Sequence, residues 1–223
     1  YYPRHMETLG LEKEVDWLQV HIEIPKEVPA RYARVAQYAR EQIGLRVIKL
    51  SNKKIFDEGY GQRVFNLLNE AYKPIFGFSA LSPSQIDKYI HKYLNMVDKQ
   101  LIPVILNGKD EVVGVAISMG SLSRSMQKAH GKLLPFGWYH LLKALKWHHE
   151  DNAEMLLIAI RPDYQGLGVN AMFFDDLIPI FNKCGFKWAE TGPQLEDNVR
   201  ELNQWKPLHP KYVKRRRCYK KKI

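Results

Sequence analysis

The stretch Ile160-Arg161-Pro162-Asp163-Tyr164-Gln165-Gly166-Leu167-Gly168-Val169-Asn170-Ala171 decides the fold, because it joins two strongly apolar segments. Before it, Glu154 to Ile160 is nearly continuous apolar sequence, which predicts a central strand buried on both faces. After it, Gly168 to Lys183 predicts a helix with a kink at Pro179. A pair of glycines at a strand-to-helix turn is needed for the turn itself. It also leaves backbone N–H groups uncovered where the helix dipole is positive, so the turn suits a pyrophosphate without a basic side chain. Gln165, Gly166, Leu167, Gly168, Val169 and Asn170 are the residues of that predicted cradle.

Working outward, Phe186 to Glu190 predicts a strand, Asp197 to Leu208 a helix and Tyr212 to Lys222 a last strand. Upstream, Ile102 to Leu106 and Val112 to Met119 are strands joined by the hairpin turn Asn107-Gly108-Lys109-Asp110. Residues 54–100 predict two helices broken between Pro74 and Ser84, the second keeping helical spacing through Ile86, Tyr89, Ile90, Tyr93, Leu94 and Val97. Leu45 to Leu50 is a short strand. Residues 30–43 form a helix closed by Gly44, and residues 14–24 alternate as a half-buried strand ended by Pro25. Residues 121–150 interrupt this rhythm with an aromatic, partly helical insertion.

The chain has 223 residues, 45% hydrophobic and 26% charged, which suits a domain able to fold without disulfides or metal. Cys184 and Cys218 read as two thiols of a reducing compartment. No apolar run approaches a membrane span, and residues 1–20 carry six charged side chains with no signal-peptide core. A cytoplasmic location is the expectation. Of the net charge of +10, much comes from residues 211–223, which hold eight Lys or Arg and no acid. Such a segment reads as a charged edge strand or as a basic arm for nucleic acid, and the strand is the expectation here. His148-His149-Glu150 lacks a third ligand at useful spacing and predicts a solvated loop rather than a metal site.

With Ile160, Pro162, Gln165, Gly168 and Val169 in place, the turn resembles the acyl-CoA signature of the GNAT superfamily of N-acyltransferases. That signature is an apolar strand into Val-x-Pro, then Arg/Gln-x-x-Gly-x-Gly/Ala. Asn170 departs from it, and Ala171 follows at once. Gly131 to Trp138 and Glu190 to Asn198 are similar to a poorly characterised bacterial branch. Residues 1–24 resemble the end of a preceding unit of a tandem GNAT protein. The resemblance implies an α/β fold of the α+β type, a mixed central sheet with helices on both faces. It divides the chain into 1–44, an N-terminal strand and linker helix, and 45–223, the acyltransferase domain.

It also implies acetyl-CoA or a longer acyl-CoA as donor and an amine acceptor, small-molecule or lipid-like, with no nucleic acid. Backbone groups near Leu157 to Ile160 would bind the thioester carbonyl, so Ile158 and Ile160 join the cradle as donor-binding positions. Glu190 and Glu154 are the candidate carboxylate bases, with Glu196 beside the first. The family commonly places a Tyr seven residues after an Asn at the last helix. Asn198 fits, but position 205 is Trp, whose indole cannot protonate a thiolate. Tyr164, Tyr212, Tyr219 or water are the alternatives for that proton. The insertion is expected to wall the acceptor or acyl-chain site, with core packing and a membrane-surface contact through Lys132, Lys143 and Lys146 as the alternatives. A non-catalytic CoA- or partner-binding module and a nucleic-acid-binding protein are the competing readings.

Overall fold

The computed structural model describes residues 1–94, 97–147 and 150–222. In chain order the elements are α1 (Tyr2–Thr8), β1 (Glu12–Glu23), α2 (Ala30–Gln42), β2 (Arg46–Lys49), α3 (Asn52–Phe56) and α4 (Tyr60–Tyr72). Then come α5 (Pro83–Tyr89), which runs on as a π-turn to Leu94, β3 (Pro103–Leu106), β4 (Val112–Gly120), α6 (Ser123–Lys128) and α7 (Gly137–Trp147). The chain closes with β5 (Asn152–Ile160), α8 (Val169–Lys183), β6 (Trp188–Thr191), β7 (Gln194–Leu195), α9 (Val199–Gln204) and β8 (Lys211–Lys220). The first of the two helices expected in 54–100 is thus divided, with left-handed Gly59 between α3 and α4.

The strands form one mixed sheet in the order β2-β3-β4-β5-β6-β1-β7, with β8 also paired to β1. Neighbours are antiparallel except β5 and β6, which run parallel. Alternation along the strands feeds two cores on opposite faces. Ile105 and Val113 join a core with Ala36 of α2, Phe173 of α8 and Trp205. Val104, Leu106 and Val115 join another with Val64 of α4 and Ile86 of α5. The expected mixed sheet with helices on both faces is what forms.

Three local outcomes bear on the site. First, β1 lies inside the sheet, with β6 and β7 on one edge and β8 on the other, so the N-terminal strand shares the sheet of residues 45–223. Second, the basic C-terminal segment is a strand and not an arm: β8 pairs β1 from Glu12↔Lys220 to His21↔Lys211. Its Arg215 and Arg217 both bind Asp16, whose side chain is fully buried, at 3.0 and 2.8 Å. Arg217 holds that carboxyl down to about 2. Third, β5 is not buried on both faces. Most of its side chains are half-exposed and Leu156 is 42% exposed, because the strand borders an opening.

Candidate functional site

That opening follows from the parallel pair. β5 and β6 are in register only from Asn152↔Trp188 to Met155↔Thr191. Gly192 N–H then closes on Met155 O at 2.8 Å, and β7 departs to pair with β1. β5 also carries a bulge: Ile117 faces Leu157 and Ser118 faces Met155, so Leu156 is an extra residue without a partner in β4. Beyond Met155, the far edge of β5 therefore has no strand neighbour among the described residues. The Ile158 carbonyl on that edge accepts a hydrogen bond from Tyr72 Oη at 2.8 Å. In an extended strand the N–H of the same residue points to the same side.

A cleft of about 1130 Å³ fills the split. Leu156 to Ile160 of β5 make one wall. Tyr72, Ile75, Phe76 and Phe78, from the end of α4 and the turn after it, make an apolar second wall. Gln165, Gly166 and Asn170 stand at one end, and Asn198, Arg200, Glu201 and Trp205 line the side formed by α9.

The glycine turn is built as its sequence requires. Pro162–Tyr164 forms one 3-10 turn, and Gly166 and Gly168 follow with φ of +85° and +87°. α8 starts at Val169 with no side chain capping it, so its first N–H groups have no intrahelical acceptor. The two glycines differ in what they face. A Cβ on Gly166 would enter open space in the cleft, whereas one on Gly168 would stand 2.9 Å from Val35 Cγ1 of α2. Asn170 presents a buried Oδ1 with no hydrogen-bond partner among the described residues. This cradle, open at Gly166 and holding no acidic side chain from Gln165 to Asn170, fits a pyrophosphate.

Superposition on known structures bears on the fold. A GCN5-related N-acetyltransferase from Sphaerobacter thermophilus aligns over 98% of this chain and 55% of its own, with TM-score 0.62 and 13% identity. The fold is GNAT-like. A tandem GNAT protein from the clavulanic acid biosynthesis pathway aligns over 98% of this chain and 57% of its own, at TM-score 0.54 and 9% identity. No protein-family model matches the chain. By sequence it is 23% identical over 244 residues to Protein YghO of Escherichia coli strain K12, covering 100% of this chain and 57% of that protein. It is 26% identical over 105 residues to the bacterial ceramide synthase of Caulobacter vibrioides, covering 47% of this chain and 27% of that protein. This chain thus spans 57% or less of the length of these curated relatives.

In the cleft, Ile158, Ile160, Gln165, Gly166 and Asn170 come together as the sequence analysis grouped them. Leu167 is exposed, Val169 is in the core and Gly168 lies under α2. Glu154 and Glu190 are register partners across the parallel pair, yet neither lines the cleft. Glu154 accepts from Ser121 Oγ at 2.8 Å, and Glu190 pairs with Lys214 and Gln19 on the β8 side. Tyr164, Tyr212 and Tyr219 also lie outside the lining. Trp205 is a core residue whose Nε1 donates to Gln194 Oε1 at 3.0 Å. The insertion contributes no lining residue either, and the turn after α4 takes that place. His148 and His149 lie outside the described residues.

Two groups in the cleft escaped the sequence reading. Desolvation pushes the Glu201 carboxyl up to about 7. Burial, with Glu201 nearby, raises the Tyr72 phenol above its ordinary value, so it stays protonated at neutral pH. Glu201 had a local signal: it sits three residues after Asn198, whose Oδ1 accepts from its N–H at 3.3 Å. Tyr72 had none.

Proposed function

We propose that this chain transfers an acyl group from acyl-CoA to an amine, and that the acceptor is lipid-like. The observation that carries the reading is the split after Met155 and Thr191. It leaves the Leu156 to Ile160 edge of β5 facing a cleft that ends at the glycine turn. In this reading the first N–H groups of α8 and the space at Gly166 hold the pyrophosphate, with Gln165 and Asn170 beside it. Acyl-CoA supplies the activated thioester. In the same reading the Ile158 N–H, on the open edge of β5, stabilises the oxyanion that forms on the acyl carbonyl.

The roles of the side chains follow from their protonation. Glu201, held up to about 7, is a base matched to neutral pH and takes the amine proton, directly or through one water. As the C–N bond forms and the C–S bond breaks, Tyr72 gives its phenolic proton to the departing thiolate and regains one through water as Glu201 releases the amine proton. The apolar wall of Ile75, Phe76 and Phe78 supports an acceptor with a hydrocarbon chain, in keeping with the name of the Caulobacter relative.

Gly166→Asp puts a carboxylate where the pyrophosphate would sit, and Gly166→Ala controls for strain at positive φ. Calorimetry with CoA should show affinity falling about tenfold or more for the Asp variant relative to the Ala variant. Equal affinities would remove the turn from the site. A non-catalytic module, favoured by Trp205 at the position where the family usually has Tyr, would bind CoA yet release no free thiol from acyl-CoA with any amine.

A further inference from the structure

The insertion that the cleft does not use presents an unusual surface. Leu133, Leu134 and Phe136 are 60%, 76% and 71% exposed, and Trp138, Tyr139 and Leu142 of α7 are exposed beside them. Single exposed apolar residues are ordinary on a protein surface, whereas six large ones within ten positions are not. The protrusion is built rather than slack. Gly137 sits so close to the Lys132 carbonyl that a Cβ would overlap it at 1.7 Å. Trp138 N–H donates to Leu133 O at 3.0 Å, Tyr139 N–H to Phe136 O at 3.1 Å, and Trp138 Nε1 to Pro135 O at 2.9 Å. These bonds satisfy the backbone of the loop and turn its apolar side chains outward.

The exposed charge of the insertion is basic. Residues 121–150 contain Arg124, Lys128, Lys132, Lys143 and Lys146 and one acid, Glu150, which is buried and accepts from Ser125 Oγ at 2.9 Å. Arg124 pairs with Asp151, while Lys128, Lys132 and Lys143 form no ion pair among the described residues. Exposed Leu and Phe, with exposed Trp and Tyr next to them in sequence and Lys without ion pairs among the described residues, match the three parts of a bilayer: hydrocarbon, interface and anionic headgroup. We infer that residues 132–142 dock this protein on the surface of an anionic membrane, with Leu133, Leu134 and Phe136 inserted and Lys128, Lys132 and Lys143 on the headgroups. The docking is peripheral; no described helix is long and apolar enough to cross a membrane.

Co-sedimentation with phosphatidylcholine vesicles, with and without phosphatidylglycerol, tests this. The parent should pellet with the anionic vesicles and be released as salt is raised. Leu134→Ser combined with Phe136→Ser should lower the vesicle partition coefficient about tenfold or more, with melting temperature unchanged because both side chains are exposed. Should that pair fail to fold, Lys128→Glu with Lys132→Glu should cause the same loss. A parent that stays in the supernatant with every vesicle overturns the inference, as do folded variants that bind like the parent. So does a lipid-free dimer that the Ser variants make monomeric, which would mark the patch as a protein interface. CoA calorimetry on the same variants should be unaffected, so this result and the reading of the cleft stand or fall separately.

Discussion

Glu201 has an ordinary carboxyl value of 4.5 and is raised to about 7 in the fold, chiefly by desolvation. Between those values the folded chain holds a proton that the unfolded chain has released, so stability falls as pH rises through this window. Glu201→Gln should match the parent near pH 4 and exceed it at pH 8 by on the order of 2 kcal/mol, read from urea titrations at each pH. Superimposable pH dependences would deny the shift. In turnover, the parent's kcat should climb to a plateau as pH passes about 7, and the Gln variant should lose that limb. Tyr72→Phe removes the hydroxyl that reaches Ile158 O, and should cut kcat about a hundredfold while CoA affinity is kept. Retained kcat would exclude the phenol as proton donor. The sequence showed the glycine turn because φ near +85° is a demand that glycine alone meets without strain. It hid Glu201 and Tyr72, since their perturbed protonation comes from walls that only the folded cleft brings around them.

The apolar run of β5 was legible as a strand but not in its surroundings. A strand with hydrophobic residues on both sides reads the same whether two helices cover it or one side opens to a cleft, and here the parallel pairing stops after four register pairs. The insertion misled for a related reason, because a count of large apolar side chains does not say which way they face. The final strand was legible as a strand, expected over 212–222 and found over Lys211–Lys220, and its Arg215 and Arg217, two positions apart, reach the same carboxylate. Removing residues 211–223 strips the β8 edge from β1 and leaves Asp16 without both arginines. Cooperative unfolding should be lost, and a truncated chain that keeps its melting transition would contradict the pairing. Asp16→Asn should cost on the order of 2 kcal/mol at pH 7, because Arg215 and Arg217 lose the carboxylate that both bind. The carboxylate's contribution is present above its ordinary value of 3.8 and lost as pH falls toward about 2, so the two proteins should converge in strong acid.

The sheet combines strands from distant parts of the chain, and the boundary expected at residue 45 runs through the middle of that arrangement. β1 supplies Val20 and Ile22 to the core shared with α2 and α8. A fragment beginning at residue 45 should therefore show no cooperative melting, whereas a fragment that melts like the whole chain would make the first strand dispensable. The join of β1 to β8 also has a consequence for synthesis. Glu12 to Glu23 is made before its partner Lys211 to Lys220, with most of the sheet synthesised between them. At about 5–20 residues per second, β1 spends on the order of ten seconds or more on the ribosome without its outer neighbour. During that interval an amphipathic strand waits without the partner that will cover Asp16, which makes it a natural client for a chaperone acting on the nascent chain.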